Sequence, residues 1–600
     1  MLRHPAFFVK ALMKTHLSLR TSILFLIFIV LGINYPVLFA PLNSVDDIDM
    51  YGYFLNADGL TLRDIFTPSG GQYYRPLLAL TFYLDQKLWG LEQSFMHLDN
   101  VLFHLVNVLL IFAIAHKLWT LYEGRDSLAP LAVALLFALH PLNVESVAWV
   151  SGRTDLIAGI FIFLAVYLMF FVDKRPLPLG YSIAVAGSIL LACLAKETAV
   201  FFLPAAFIFP FFSLNKNSDT PKVAASVRNG WLHCLVLLAS GIGYVLVRTG
   251  AFSTSDEGVA TIAASLGGGE KVGLLENGRL IVKAAGFYLK KLFLPFPLNF
   301  GIIHVSDFYI LLGFLLVPLC IWWLYRRDLP SYFFVCSVSV GISAMMIPVL
   351  RMTWTPIAER YMYLPSAFFL LATTLLVDRR IALYPRKNIV IVCVVAICVV
   401  AAYGTASRNL VWQDNLTLYQ DTVRKSPDFI PAQNELANAL VGHGRLDEAR
   451  AILNSMELSD DLNNVQIGHV NRAMMLTEQG DFEGARRFLK KVLEKPGRHK
   501  VMILGKLIKV YDKELMVVGK DSGKLLSDMA PLLEQLRTLT GDPFYSYRLG
   551  LVYLQLHDNA KARSAFLDAA KRAPVNAHYR DAARRLAEKF DDCVQNEETW

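Results

Sequence analysis

The feature that most restricts this chain is a series of long apolar runs separated by short polar turns. Eleven of them, at 21–40, 99–116, 129–142, 155–172, 178–195, 199–213, 231–248, 308–325, 331–349, 361–377 and 388–406, fill nearly half of residues 1–406. About twenty apolar residues in helical form cross a bilayer core of about 30 Å, and inside lipid each backbone amide must be satisfied within its own segment. The runs therefore predict an all-α, polytopic membrane helix bundle of about eleven spans, the shorter of which do not all cross fully. The stretch 284–300 (AAGFYLKKLFLPFPLNF) carries Lys290 and Lys291, which predicts an interfacial or re-entrant segment instead. The basic start followed by 21–40 reads as a retained first span, because its apolar part exceeds a signal-peptide core.

Residues 407–600 differ in kind: they read as a soluble helical domain rich in Lys, Arg, Asp and Glu. Three segments there share the helix-pair pattern of a 34-residue tetratricopeptide repeat. Its packing positions fall on Leu436, Ala437, Leu440, Ala449 and Leu453, then on Ala473, Leu476, Ala485 and Leu489. In the third segment they are Leu549, Gly550, Tyr553, Ala562, Phe566, Ala569 and Pro574. Residues 412–427 read as the second helix of an earlier half-repeat, and 498–540 as a degenerate pair. Such stacks form a concave binding surface. The division expected is a membrane domain over 1–406 and a tetratricopeptide-repeat α-solenoid over 407–600.

The net charge of +8 has a membrane explanation. Arg3, Lys10, Lys14 and Arg20 precede the first run. With that end cytoplasmic, Lys117/Arg125, Lys174/Arg175, Lys216/Lys222/Arg228, Arg326/Arg327 and Arg379/Arg380/Arg386/Lys387 all fall on the cytoplasmic side. No basic run is interleaved with exposed aromatics, so nucleic acid is not an expected partner. Six of the seven cysteines lie in apolar runs, Cys593 lies in the tail, and no CxxC or Cys/His ligand spacing occurs. The same orientation puts the first loop and the tail on the extracytoplasmic face.

That first loop, Pro41–Asn56 (PLNSVDDIDMYGYFLN), holds Asp46, Asp47 and Asp49 at the end of the first run. Its DxD triplet follows a membrane span rather than a strand with a Gly-rich turn, so the nucleotide-sugar version of that motif does not apply. A transferase facing outward needs a lipid-linked donor instead. A polyprenyl phosphate leaves readily, whereas the acceptor hydroxyl needs a base, which a carboxylate at the bilayer surface can supply. The departing phosphate needs positive charge from Arg, Lys or a metal. A divalent metal at the outer loop is the open cofactor alternative. The blander reading is a solvated acidic loop.

Other turns on the same face carry more charge: Tyr73-Tyr74-Arg75-Pro76, then HPLNVESVAWVSGRTD with His140, Glu145, Arg153 and Asp155, then AKET with Lys196 and Glu197. RMTWTPIAERYMY adds Arg351, Glu359 and Arg360. A cleft lined by such span ends suits an anionic lipid head group. Lys196 and Glu197 can equally pair with each other, and Arg153 and Arg360 can equally anchor loops. Asp49 reads as a loop partner of Arg75. His97, Asn100, His104 and Asn107 follow a 3-4-3 spacing on one helix face, which favours hydrogen bonding between helices.

Taken together, HPLNVESVAWVSGRTDL, AKETAV, AERYMYLPS and the acid pair followed by YYRPL resemble the transmembrane and tetratricopeptide-repeat-containing O-mannosyltransferases and their bacterial relatives. The resemblance covers nearly the whole chain. It implies a GT-C glycosyltransferase fold, a polyprenyl-phosphate sugar donor and inverting transfer to a protein hydroxyl. It maps the catalytic acids onto Asp46 and Asp47, with Asp46 as base, and donor or substrate binding onto Arg75, His140, Glu145, Arg153, Lys196, Glu197 and Arg360. The implied partners are a polyprenyl-phosphate sugar, membrane lipids and an acceptor protein held by the repeats. The implied location is a bacterial inner membrane with extracytoplasmic repeats, the endoplasmic reticulum with lumenal repeats being the alternative. Competing readings are a lipid-linked-donor ligase or polymerase for surface polysaccharide, and a non-catalytic repeat scaffold.

Overall fold

The computed structural model describes residues 18–55, 60–67, 74–123, 127–171, 179–212, 223–253, 274–350, 355, 357–381, 387–457, 462–495, 500–519, 523–573, 577 and 579–589. Tyr73, Arg351, Pro574 and Cys593 lie outside them, as do most of the basic residues before the first run and in the turns at 174–175 and 216–222. Two compact units emerge: residues 1–48 with 72–414, and residues 49–71 with 415–600.

The first unit is built from helices α1 (Leu19–Asn34), α2 (Asp47–Leu55, whose residues from Asp49 belong to the second unit), α3 (Pro76–Trp89), α4 (Gln93–Leu118), α5 (Ala129–Ala138), α6 (Arg153–Phe171) and α7 (Leu179–Ala195). They are followed by α8 (Leu203–Ile208), α9 (Val223–Ser253), α10 (Leu274–Phe293), α11 (Phe308–Arg326), α12 (Leu329–Leu350), α13 (Tyr363–Ile381) and α14 (Lys387–Trp412). Among the described residues each of the eleven apolar segments contains helix. Among the described residues eight helices are long and apolar enough to cross a membrane, or nine with one bent pair. The chain is an integral, multi-pass membrane protein.

Two segments depart from simple spans. The run 129–142 breaks after Ala138 and resumes as short turns, because Pro141 disfavours a helical His140, which sits at φ −71°, ψ 120°. The run 199–213 is a 3₁₀ turn over Glu197–Phe202 leading into α8, with Pro204 near the start of the helix. The stretch expected at 284–300 begins earlier, as α10, and its helix ends at Phe293 before Pro295 and Pro297. α10 crosses α11 closely: a Cβ on Gly286 or on Gly313 would overlap the carbonyl oxygens of Tyr309 and Val282 respectively. One large core joins Val108, Phe137, Phe163, Phe202, Tyr332 and Phe368, with rings packed edge-on or stacked.

The second unit is a succession of helices: Asn415–Lys425, Ile430–Gly442, Leu446–Glu457, Leu462–Glu478, Phe482–Val492, Lys500–Val518, Gly523–Thr540, Pro543–Gln555, Asn559–Arg572 and Arg580–Lys589. Each packs on the next. The small residues at the expected packing positions are buried: Ala437, Ala449, Ala473, Ala485, Ala562 and Ala569. Gly550 admits no side chain, since a Cβ there would run into the Phe566 ring.

Candidate active site

The acid loop is fixed by hydrogen bonds. Asp47 is fully buried, and its Oδ1 accepts from the Ser151 amide at 2.7 Å and the Ser151 hydroxyl at 2.5 Å. Its Oδ2 accepts from the Asn43 amide at 3.0 Å, while Asn43 Oδ1 takes the Val45 amide at 2.9 Å. Burial pushes the Asp47 carboxyl up to about 6, against the downward pull of these donors; the Asp46 charge adds to the rise. Asp46, one residue earlier, is exposed. The Asp49 side chain lies outside those described.

Ser151 can reach the loop because the turn around it is unusually tight. A Cβ on Gly152 would stand 2.9 Å from the Ser146 carbonyl oxygen, so only glycine lets the 150–152 turn close on 145–146.

The charged residues of the neighbouring turns resolve into specific pairs. Lys196 Nζ binds Asp155 Oδ1 at 2.6 Å, and Arg75 grips Glu197 with Nε at 2.9 Å and Nη2 at 2.5 Å. Lys196 and Glu197, adjacent in sequence, thus have different partners and do not form the mutual pair that was one of their two readings. Arg75 is engaged with Glu197, and its expected pairing with Asp49 falls on a side chain outside those described. The second oxygen of Asp155 is buried without a hydrogen-bond partner among the described residues.

Glu145 is buried and receives the Arg360 guanidinium through Nη1, together with the backbone amides of Glu359 at 3.2 Å and Arg360 at 3.3 Å. The Arg360 guanidinium lies 4.8 Å from the ring centroids of both Trp149 and Tyr361. Lys196 Nζ stands 5.7 Å from the Tyr361 ring, so Tyr361 joins the Lys196–Asp155 pair to the Arg360–Glu145 pair. A fourth pair, Lys291 to Glu359 at 2.7 Å, is also buried. Arg360, Glu145, Lys196 and Asp155 therefore form one cluster in which each cation faces a carboxylate.

Arg153 is placed elsewhere. It is fully buried, donating to Asp85 Oδ2 at 2.7 Å, Asn100 Oδ1 at 3.0 Å and the Met96 carbonyl at 2.9 Å, and it lies 4.6 Å from the Phe82 centroid. That engagement is inside the bundle, where the guanidinium is sealed from solvent. His140 caps the turn Pro141–Asn143, its Nδ1 accepting from the Leu142 amide at 3.3 Å. Of the polar face on α4, Asn100 donates to carbonyls at Val147 and Trp149, His104 pairs with the Tyr363 hydroxyl at 2.8 Å, and Asn107 donates to the Leu156 carbonyl at 2.8 Å. These bonds join α4 to other helices and to the turn at Trp149, whereas both ring nitrogens of His97 are buried without a hydrogen-bond partner among the described residues. Among the described residues no group of three His, Cys, Asp or Glu side chains comes together as a metal site.

Sequence reasoning missed Ser151, Asp85, Tyr361, Trp149 and Lys291. Ser151, Trp149 and Tyr361 lie within the quoted motifs and Lys291 was read only as interfacial, while Asp85 left its own signal: an acid within the apolar stretch PLLALTFYLDQKLW requires a cation or a polar partner.

The fold and these turns define a polytopic, all-α membrane protein with a charge-paired cluster and an acidic loop pinned to Ser151. Its sequence relatives place it further. It is similar to the protein O-mannosyl-transferase F38B6.6 of Caenorhabditis elegans, at 22% identity over 64% of this chain and 54% of that protein. It is also similar to human protein O-mannosyl-transferase TMTC1, at 30% identity over 24% of this chain and 17% of that protein. Human protein O-mannosyl-transferase TMTC3 shares 41% identity over 17% of this chain and 10% of that protein. The chain is thus similar in sequence to proteins named protein O-mannosyl-transferases, in line with the resemblance its motifs carry. It spans about half the length of the first of these proteins and far less of the others. No family model matches the chain, and no solved structure does.

Proposed function

We propose that this chain is a membrane glycosyltransferase of GT-C type. It moves mannose or a similar hexose from a polyprenyl-phosphate donor to Ser or Thr hydroxyls of an extracytoplasmic protein, with inversion. The observation that carries the reading is the division of labour in the acid loop. Asp46 is exposed beside a buried, hydrogen-bonded Asp47, which suits an accessible base on a fixed support. In an inverting displacement the Asp46 carboxylate takes the acceptor proton, the hydroxyl oxygen bonds to the anomeric carbon, and the bond to the phosphate breaks with its electron pair on the phosphate oxygen. The relatives' names support protein as the acceptor.

Lys196, Arg360 and Arg75 are the cations closest to this role, and the leaving phosphate would compete for them with their carboxylate partners. The helices over 415–600 are read as tetratricopeptide-type repeats that position the acceptor. The deciding experiment is Asp46→Asn, which keeps size and removes basicity. Transfer should fall about 10²–10⁴-fold with donor binding little changed. Near-normal transfer by both Asp46→Asn and Asp47→Asn would end the proposal.

A further inference from the structure

We propose that Ser151 is a positioning residue for the acid pair: by holding Asp47 it sets the direction in which Asp46 is presented to the acceptor. The inference rests on the reading of Asp46 as base and adds a residue that no motif in the sequence singled out. Ser151 and Asp47 are 104 positions apart in the chain, and one Asp47 oxygen receives both donors of Ser151, at 2.7 and 2.5 Å. The other oxygen is taken by Asn43 at 3.0 Å. A side chain held at both oxygens cannot turn, so the backbone at Asp47, and with it the exposed neighbour Asp46, is tied to the turn that opens α6. Gly152 keeps that turn close enough to serve.

The charges around Asp47 leave this bond in control. Burial opposes ionisation of Asp47, the Ser151 hydroxyl favours it, and Asp46 is the like charge acting on it. Arg153, two residues beyond Ser151, is committed to Asp85 and Asn100. His97 faces the backbone of Ala40, Pro41 and Ala148. Loss of the Ser151 hydroxyl should therefore leave Asp47 protonated to higher pH, where it no longer accepts fully from two amides, and the loop should shift.

The test uses the full chain in lipid, with mannosyl phosphoryl polyprenol as donor and a Ser/Thr peptide as acceptor. Ser151→Thr and Ser151→Val have the same shape and differ in the hydroxyl, so a folding effect common to both cancels. Ser151→Val should lower kcat about tenfold relative to Ser151→Thr, the loss expected for a hydrogen bond to a charged group. It should also move the acidic limb of the pH–rate profile upward by about one unit, with KM for the donor unchanged. Ser151→Thr should keep the wild-type profile. A Ser151→Val enzyme with the kcat and acidic limb of Ser151→Thr would overturn the positioning role alone, provided Asp46→Asn is inactive in the same assay. Normal turnover by Asp46→Asn would overturn the base reading and this inference together.

Discussion

Arg153 Nη1 lies 2.7 Å from Asp85 Oδ2, and both side chains are sealed from solvent. The pair ties α3 to the start of α6, and Asn100 and Met96 on α4 complete the guanidinium's bonds. A buried ion pair adds little net stability, but removing one partner leaves an uncompensated charge. Asp85→Ala should therefore destabilise the fold by about 3–5 kcal/mol. Thermal unfolding in detergent checks this. A midpoint unchanged from wild type would show that the guanidinium finds other compensation.

Gly286 and Gly313 allow the closest helix crossing in the membrane unit. The overlaps at Gly286 are with backbone, which cannot rotate away. Gly286→Ala should cost about 1–3 kcal/mol or more, the range for overpacking. Gly187, with nothing within 4 Å of an added Cβ, provides the control: Gly187→Ala should be neutral or slightly stabilising. Parallel melting curves for the two variants decide it.

Asp47 makes the fold sensitive to pH in a definite direction. Its native carboxyl titrates near 6, above the unfolded value of about 3.9. The native state thus binds the proton more tightly than the unfolded chain does. The associated stability is fully present below about pH 4 and is lost as pH rises through 6, amounting to roughly 3 kcal/mol at most. Asp47→Asn should remove this contribution. Unfolding measured from pH 4 to 7 should show a shallower fall for the variant than for wild type.

Under the proposed function Lys196 has two duties, which a double substitution separates. Lys196→Ala should weaken binding of a polyprenyl-phosphate donor and also destabilise the fold, since Asp155 is left charged and buried. Adding Asp155→Asn removes that charge. Stability should recover in Lys196→Ala/Asp155→Asn while donor affinity stays low. Wild-type donor affinity in the double variant would take Lys196 out of donor binding.

The repeat helices are open to a domain-level test. Deleting 430–600 should spare hydrolysis of the lipid-linked donor and reduce transfer to protein. Full-rate transfer by the shortened chain would assign the tail another task.

Each of the eleven apolar runs led to helix, because apolar length and backbone hydrogen bonding in lipid are properties of each segment alone, but α3 and α10 lay outside them. The 3-4-3 polar spacing likewise put His97, Asn100, His104 and Asn107 on one buried face, since helical period is local. Even the break at Pro141 follows from one covalent ring. Tertiary structure decided the pairings. Lys196 and Glu197 are neighbours in sequence, yet one meets Asp155 and the other meets Arg75, 122 positions away. Glu145 meets Arg360 across 215 positions, and Ser151 reaches Asp47 across 104. A charged residue at a helix end takes the partner that the packing of whole helices brings within about 3 Å, and that packing is set by core shape summed over many segments. The residue types at the acid loop could be read from the chain; which acid is buried and which is exposed required the fold.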